Sequence, residues 1–172
     1  MKRKSLGLMI VLILSIFAFT GCSPTASKVG TAPDGSEIAI EKATMKFMKD
    51  TQAGGYKLIS TEDLNKWVNE KKALIIIDTM PADSFAKGHI PGAVNAELPK
   101  TTLADATNEQ KAAFIKLLGE DKSKTIVVYC GYVACARSDV GAVLAKQQGF
   151  SEVYRLPGGI TTWQEAKYDV AK

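Results

Sequence analysis

The sequence predicts an α/β domain with a mainly parallel central sheet, and three features support this fold class. Residues 73–78 and 125–129 are apolar, largely β-branched runs with the composition of strands buried on both faces of a sheet. Helix signals with polar N-terminal caps lie between the strand signals. Strands that alternate with helices are typical of a parallel sheet covered by helices.

The first half of the domain gives its elements in clear order. Residues 38–48 could form an amphipathic helix, which two consecutive glycines would end. Residues 56–60 predict a short strand, and residues 60–63 resemble a capping box that opens a helix. The buried strand at 73–78 follows, and a further short strand is predicted at 93–98.

The second half continues the same alternation. A capping box at 107–110 opens a helix that Gly119 should stop. The remaining predicted elements are a buried strand at 125–129, a helix at 137–148, a strand at 152–156 and a last short helix containing Trp163.

The amino terminus has the pattern of an export signal. Three basic residues precede an apolar run at 6–19, which at about 1.5 Å per residue is too short to cross a bilayer core of roughly 30 Å. Such a run fits the apolar region of a signal peptide. The following Phe19-Thr20-Gly21-Cys22 resembles a bacterial lipobox, which implies cleavage before Cys22 and acylation of its thiol.

These features divide the chain into four predicted parts. Residues 1–21 are expected to be a lipoprotein signal peptide, and residues 22–36 a flexible tether that begins at the lipidated Cys22. Residues 37–55 form an N-terminal extension that could be helical, and residues 56–170 form the domain. The protein is therefore expected to be exported and lipid-anchored, on the periplasmic or cell-surface side of a bacterial membrane.

Charge and composition exclude two classes of function. The whole chain has a formal net charge of +4, and the signal region supplies three of these charges, which leaves +1 for the rest. A near-neutral domain does not favour a nucleic-acid partner. One histidine and three cysteines, one of them Cys22, do not make a metal site, and neither metal nor cofactor is expected.

The residues after the second buried strand carry the clearest chemical signal. Cys130 ends the strand, a loop of mostly small residues follows, and Arg137 opens a helix. Backbone N–H groups in such a loop, the helix N-terminus and the arginine would together bind an anion and favour a thiolate. The sequence therefore predicts Cys130 as a nucleophile in an anion-binding loop.

Three segments together resemble a single rhodanese domain. They are Asp78 at the end of a buried strand, the run Gly88-His89-Ile90-Pro91-Gly92-Ala93 with Asn95, and the Cys130 loop. The Cys130 loop is followed by Leu156-Pro157-Gly158-Gly159 and Trp163, which also fit the family pattern. The resemblance implies a rhodanese-like fold with a central parallel sheet of about five strands. It also implies a sulfurtransferase whose cysteine, Cys130 by position, takes up a sulfane sulfur as a persulfide and passes it to a thiol or another nucleophile.

The resemblance assigns roles to the residues of the loop. Substrate binding is expected from Gly131, Tyr132, Val133, Ala134, Cys135, Ala136, Arg137 and Ser138. Arg137 would bind donor oxygens or else pair with a local carboxylate such as Asp139, and Ser138 would cap the helix or donate to the anion. Asp78 and His89 are expected to have structural roles near the site. Two departures from the family pattern are the six residues between Cys130 and Arg137, where four are usual, and Met80 at a position that often carries arginine.

Cys135 leaves several functions open. It could be a resolving thiol that attacks a persulfide on Cys130, a second sulfur carrier, or a small side chain that fills the loop. The expected partners are a small sulfur-containing anion or persulfide donor, a thiol acceptor and, through the lipid, a membrane. The alternatives are a thiol–disulfide redox protein using Cys130 and Cys135, an oxyanion-handling enzyme of the phosphatase or arsenate reductase type, and a non-catalytic binding module.

Overall fold

A computed structural model describes residues 36–172. The predicted signal peptide, Cys22 and nearly all of the predicted tether lie outside the described residues. Within them, no helix combines the length and the apolar character that crossing a membrane requires.

The chain forms a five-stranded sheet in which every strand pair is parallel, in the order β1-β5-β4-β2-β3. The strands are β1 (Lys57–Leu58), β2 (Leu74–Asp78), β3 (Ala93–Asn95), β4 (Thr125–Tyr129) and β5 (Val153–Arg155). The helices are α1 (Glu37–Gly54), α2 (Thr61–Asn69), α3 (Ala82–Lys87), α4 (Asn108–Leu118), α5 (Arg137–Gln147) and α6 (Gly159–Glu165). The α/β fold class with a parallel sheet is thus confirmed.

The central strands β2 and β4 are buried because helices cover both faces of the sheet. One apolar cluster, which includes Phe114 of α4 and Val140 of α5, packs on one face, and a second cluster, centred on Trp163 of α6, packs on the other. Side chains alternate between the faces along each strand, so a run without polar residues can serve both clusters. This explains why the two apolar runs identified β2 and β4 so clearly.

Two short elements were not predicted from the sequence. These are α3 and a single 3₁₀ turn at Leu103–Asp105. The segment between β2 and α3 is fixed by Asn95, whose side-chain amide donates to the carbonyl oxygens of Asp78 (3.1 Å) and Met80 (2.8 Å). The Asn95 contacts hold Met80 and the start of α3 beside the carboxyl end of β4, where the Cys130 loop begins.

Candidate functional site

The loop between β4 and α5, residues 130–136, lies at the carboxyl edge of the sheet, where parallel α/β folds bind their ligands. The N-terminus of α6 fixes its first residues, because the amides of Ile160 and Thr161 donate to the carbonyl oxygens of Cys130 (2.9 Å) and Gly131 (3.1 Å). Gly159 makes this contact possible, since a Cβ atom there would overlap the Cys130 carbonyl and the residue has φ +58°. We call residues 130–136 the cysteine loop.

A cavity of about 260 Å³ opens beside the cysteine loop. Its walls are formed by the loop on one side and by the β2–α3 segment on the other. The lining residues are Met80, Pro81, Ser84, Lys100, Gly131, Tyr132, Ala134, Cys135, Ala136 and Arg137. Lys100 and Arg137 make this lining cationic, and none of these lining residues carries a carboxylic acid, so the cavity suits a small anion.

Cys130 is in the predicted position at the end of β4, but it does not line the cavity. It is 1% exposed, and its Sγ lies 3.2 Å from the carbonyl oxygen of Cys135, to which the thiol can donate, and 3.2 Å from Oγ of Ser138. Burial raises the pKa of the Cys130 thiol. This differs from the expected exposed thiolate with a depressed pKa, because the strand end is covered by the loop that follows it.

Cys135 has the properties that the sequence assigned to Cys130. It lines the cavity and is partly exposed. Its pKa is lowered to about 6, first by a hydrogen bond from the Cys130 thiol, then by the backbone N–H groups of Arg137 and Gly131 and by the positive charge of Arg137. A sulfur atom in this environment is a thiolate at neutral pH and is therefore the strongest nucleophile that faces the cavity.

The Arg137 guanidinium is held in place by residues before the 3₁₀ turn. Its Nη1 donates to the carbonyl oxygen of Leu98 and forms an ion pair with Glu97 at 3.4 Å. Its partner is therefore Glu97 and not Asp139, the local carboxylate that was considered from the sequence. Arg137 still reaches the cavity wall, so it contributes positive charge to the site from a fixed position.

Arg155 is a site residue whose role the sequence did not predict. It is buried at the end of β5, where Nη2 donates to the Cys135 carbonyl (3.0 Å) and Nε donates to Oγ of Ser138 (2.8 Å). Its Nη1 donates to the hydroxyl of Tyr56 (3.1 Å), and the Phe47 ring of α1 lies 4.5 Å from its guanidinium carbon. Arg155 thus ties the cysteine loop to α1 and to Tyr56, the residue before β1.

Ser138 differs from its expected role as a helix cap or anion donor. It is fully buried, it does not line the cavity, and the cap position of α5 is Ala136 without a side-chain capping bond. Its hydroxyl instead connects Arg155 with Cys130. Val133 also leaves the main cavity and lines a smaller one against α1, while Tyr132 projects outward with 59% of its surface exposed.

Asp78 and His89 occupy structural positions, and neither lines the cavity. Asp78 is buried at the end of β2, where Oδ1 accepts the Met80 amide (2.8 Å), and burial raises the pKa of its carboxyl group. His89 stacks on Phe85 and its Nδ1 lies 3.0 Å from the Phe85 carbonyl oxygen. Its backbone pairs with Ala171, so His89 joins the carboxyl terminus to the domain.

Comparisons with known proteins agree with this architecture. The sequence model of the Rhodanese-like domain matches residues 60–166. The thiosulfate sulfurtransferase GlpE of Shewanella oneidensis is 33% identical over 111 residues, which cover 64% of this chain and 95% of that protein. GlpE of Coxiella burnetii is 34% identical over 110 residues, which cover 63% of this chain and 88% of that protein. The crystal structure of thiosulfate sulfurtransferase from Pseudomonas aeruginosa aligns with a TM-score of 0.58 at 15% identity, over 81% of this chain and 26% of that one, a likeness of fold.

Proposed function

The chain belongs to the rhodanese-like family, and we propose that it is a sulfurtransferase that takes a sulfane sulfur from a small anionic donor and passes it to a thiol or another nucleophile. The observation that carries the proposal is the thiolate of Cys135, which faces a cationic cavity. Thiosulfate is the donor class to test first, because relatives at 33% and 34% identity are named thiosulfate sulfurtransferases.

The reaction follows from the charges around the cavity. The donor anion binds between Lys100 and the cysteine loop, whose Gly131 and Arg137 backbone N–H groups help to lower the pKa of Cys135. The Cys135 thiolate attacks the outer sulfur of thiosulfate and forms a new S–S bond. The bond between the two sulfurs of the donor breaks, and its electron pair leaves with sulfite. No general base is required, since the nucleophile is already ionised.

Cys135 is therefore our assignment for the thiol that receives the sulfur, in place of the strand-end Cys130 that the sequence suggested. The fixed donors of the loop stabilise negative charge on the persulfide that results. A second nucleophile then removes the outer sulfur, so the kinetics should be ping-pong. The absence of a carboxylic acid from the cavity lining gives no support to phosphatase chemistry, which needs an acid for its leaving group.

Intact-mass measurement of the full chain tests this proposal. After incubation with thiosulfate and gel filtration, the Cys130→Ser variant should carry the added mass of one sulfur atom, and fragmentation of its peptides should place that sulfur on Cys135. The Cys135→Ser variant should gain no sulfur at that position and should release no sulfite from thiosulfate, whereas wild type should release sulfite. No gain of sulfur by Cys130→Ser from thiosulfate, polysulfide or a low-molecular-weight persulfide would refute the proposal.

We further propose that the protein acts outside the cytoplasm, as a lipoprotein held by acyl chains on Cys22. The support is the basic, apolar and Gly21-Cys22 pattern of the first 22 residues. Two or more acyl chains anchor a protein stably, while one alone does so marginally. Cell fractionation should find the chain with the membrane and the Cys22→Ser variant in the soluble fraction; a membrane-bound Cys22→Ser protein would contradict this location.

A further inference from the structure

The transfer reaction leaves one reactive group in the site without a role. Cys130 is a buried thiol that does not reach the cavity, yet its Sγ lies beside Cys135, 3.2 Å from the carbonyl oxygen of that residue. We propose that Cys130 resolves the persulfide on Cys135: it attacks the Cys135 sulfur, releases the sulfane sulfur as sulfide and forms a Cys130–Cys135 disulfide. This inference rests on the proposed function, because it requires the persulfide to form.

The relative positions of the two sulfurs suit this attack. Cys135 lines the cavity and Cys130 does not, so a sulfur added to Cys135 extends into the cavity while Cys130 stays on the protein side. Thiol–disulfide exchange needs the attacking sulfur on the opposite side of the bond that breaks. Cys130 lies beside Cys135 and is only 1% exposed, so its sulfur is shielded from thiols in solution.

The step is balanced without a further reactant. The Cys130 Sγ–Cys135 Sγ bond forms, and the bond from Cys135 Sγ to the sulfane sulfur breaks, with its electron pair leaving on that sulfur. The sulfane sulfur is reduced to sulfide and the two cysteine sulfurs are oxidised to the disulfide level. The proton of the Cys130 thiol, which can be donated to the nearby Cys135 carbonyl, leaves with the sulfide.

The Cys130–Cys135 disulfide is suited to a step in a catalytic cycle and not to stabilising the fold. The two cysteines are five positions apart in one loop, and closing so short a loop adds little stability to the folded chain. A dithiol reductant of the thioredoxin class of chemistry can therefore return the pair to its thiol form. The complete cycle converts thiosulfate and a dithiol into sulfite, sulfide and a disulfide.

A single-turnover experiment with thiosulfate and no added thiol tests the inference. The full chain, first reduced and desalted, should release about one equivalent of sulfide per chain, the amount that one resolving thiol can displace. Its mass should end below that of the reduced protein by two hydrogen atoms, and peptide mapping should join Cys130 to Cys135, with Cys22 in a separate peptide. The Cys130→Ser variant should release no sulfide and should keep the added sulfur.

Cys130→Ser is expected to fold, because a hydroxyl at this position has the same two acceptors, the Cys135 carbonyl and the Ser138 hydroxyl. A wild-type chain that keeps the added sulfur and releases no sulfide would overturn the inference while leaving the sulfurtransferase proposal intact. If instead neither wild type nor Cys130→Ser ever gains sulfur, it is the proposed function that fails.

Discussion

The rate of alkylation of Cys135 as a function of pH tests the central feature of the site. Only the thiolate reacts with iodoacetamide, so the rate should rise with pH and level off above the thiol pKa. The pKa of Cys135 is lowered from 9.0 to about 6. At neutral pH, about nine-tenths of the Cys135 side chains are then thiolate, compared with about one-hundredth for a cysteine with the ordinary pKa. The midpoint of the rise in alkylation rate should therefore fall at about pH 6.

The Cys130→Ala variant removes the hydrogen bond that contributes most to this lowered pKa. Its alkylation midpoint should therefore move upward, and each unit of movement past neutral pH reduces the rate at neutral pH by about tenfold. The loop amides and Arg137 remain, so the midpoint should stay below 9.0. Cys130 itself should resist alkylation in the folded wild type, because burial hides its sulfur and raises its pKa.

The assay follows the two cysteines separately. Samples quenched at intervals are digested, and the alkylated fraction of the Cys130 and Cys135 peptides is measured by mass spectrometry, with Cys135→Ser as the blank. A Cys135 midpoint close to 9.0, or alkylation of Cys130 before Cys135 in the folded protein, would refute the assignment of Cys135 as the nucleophile.

Three further changes probe the supports of the site. Gly159→Ala should lower the free energy of unfolding in urea by roughly 1–3 kcal/mol and slow sulfur loading, because its φ is +58° and its Cβ would overlap a loop carbonyl. Gly149→Ala, at φ +87° in open space, should lower the free energy of unfolding by about 1–2 kcal/mol and leave sulfur loading unchanged. Equal loading rates in the two variants would contradict this. Lys100→Ala should slow sulfur loading from thiosulfate about two- to fivefold at low salt, and higher ionic strength should make this effect smaller. Lys116→Ala, which lies outside the cavity, should leave the loading rate unchanged. Phe47→Ala should remove a contact with Arg155 worth about 0.5–2 kcal/mol, and it should slow sulfur loading while the circular dichroism spectrum stays unchanged. An unaltered loading rate would show that α1 does not influence the site.

The sheet could be predicted from the sequence because its strongest determinants are local. The runs that became β2 and β4 are long enough and apolar enough to identify strands buried on both faces. The N-caps of α2 and α4 are Ser60 and Thr107, whose side chains accept hydrogen bonds from the amides of Asp63 and Gln110, as the capping patterns indicated. The short α3 has no side-chain cap at Pro81, so its sequence carries no comparable signal.

The site was predictable in place but not in detail. The end of a buried parallel strand marks where a ligand binds, and this put the cysteine loop at the correct edge of the sheet. Exposure within a loop depends on its path, which is set here by the Cys135 amide donating to the Tyr132 carbonyl (3.0 Å) and by α6 holding the Cys130 carbonyl. These contacts come from a turn and from a helix far along the chain, so spacing alone could not show which thiol faces the cavity.

The buried Arg155 helps to fix a cysteine loop that has two residues more than the usual family loop. A loop with six residues between Cys130 and Arg137 has more freedom than one with four, and each residue that must be fixed costs about 1–2 kcal/mol in backbone entropy. Arg155 offsets part of this cost by donating to the Cys135 carbonyl and to Ser138. Arg155 is in turn covered by α1, which precedes the segment that matches the family at residues 60–166. The cysteine loop is therefore linked through Arg155 to a helix outside the matched segment, and a chain shortened to begin at residue 56 should load sulfur more slowly than the chain that retains α1.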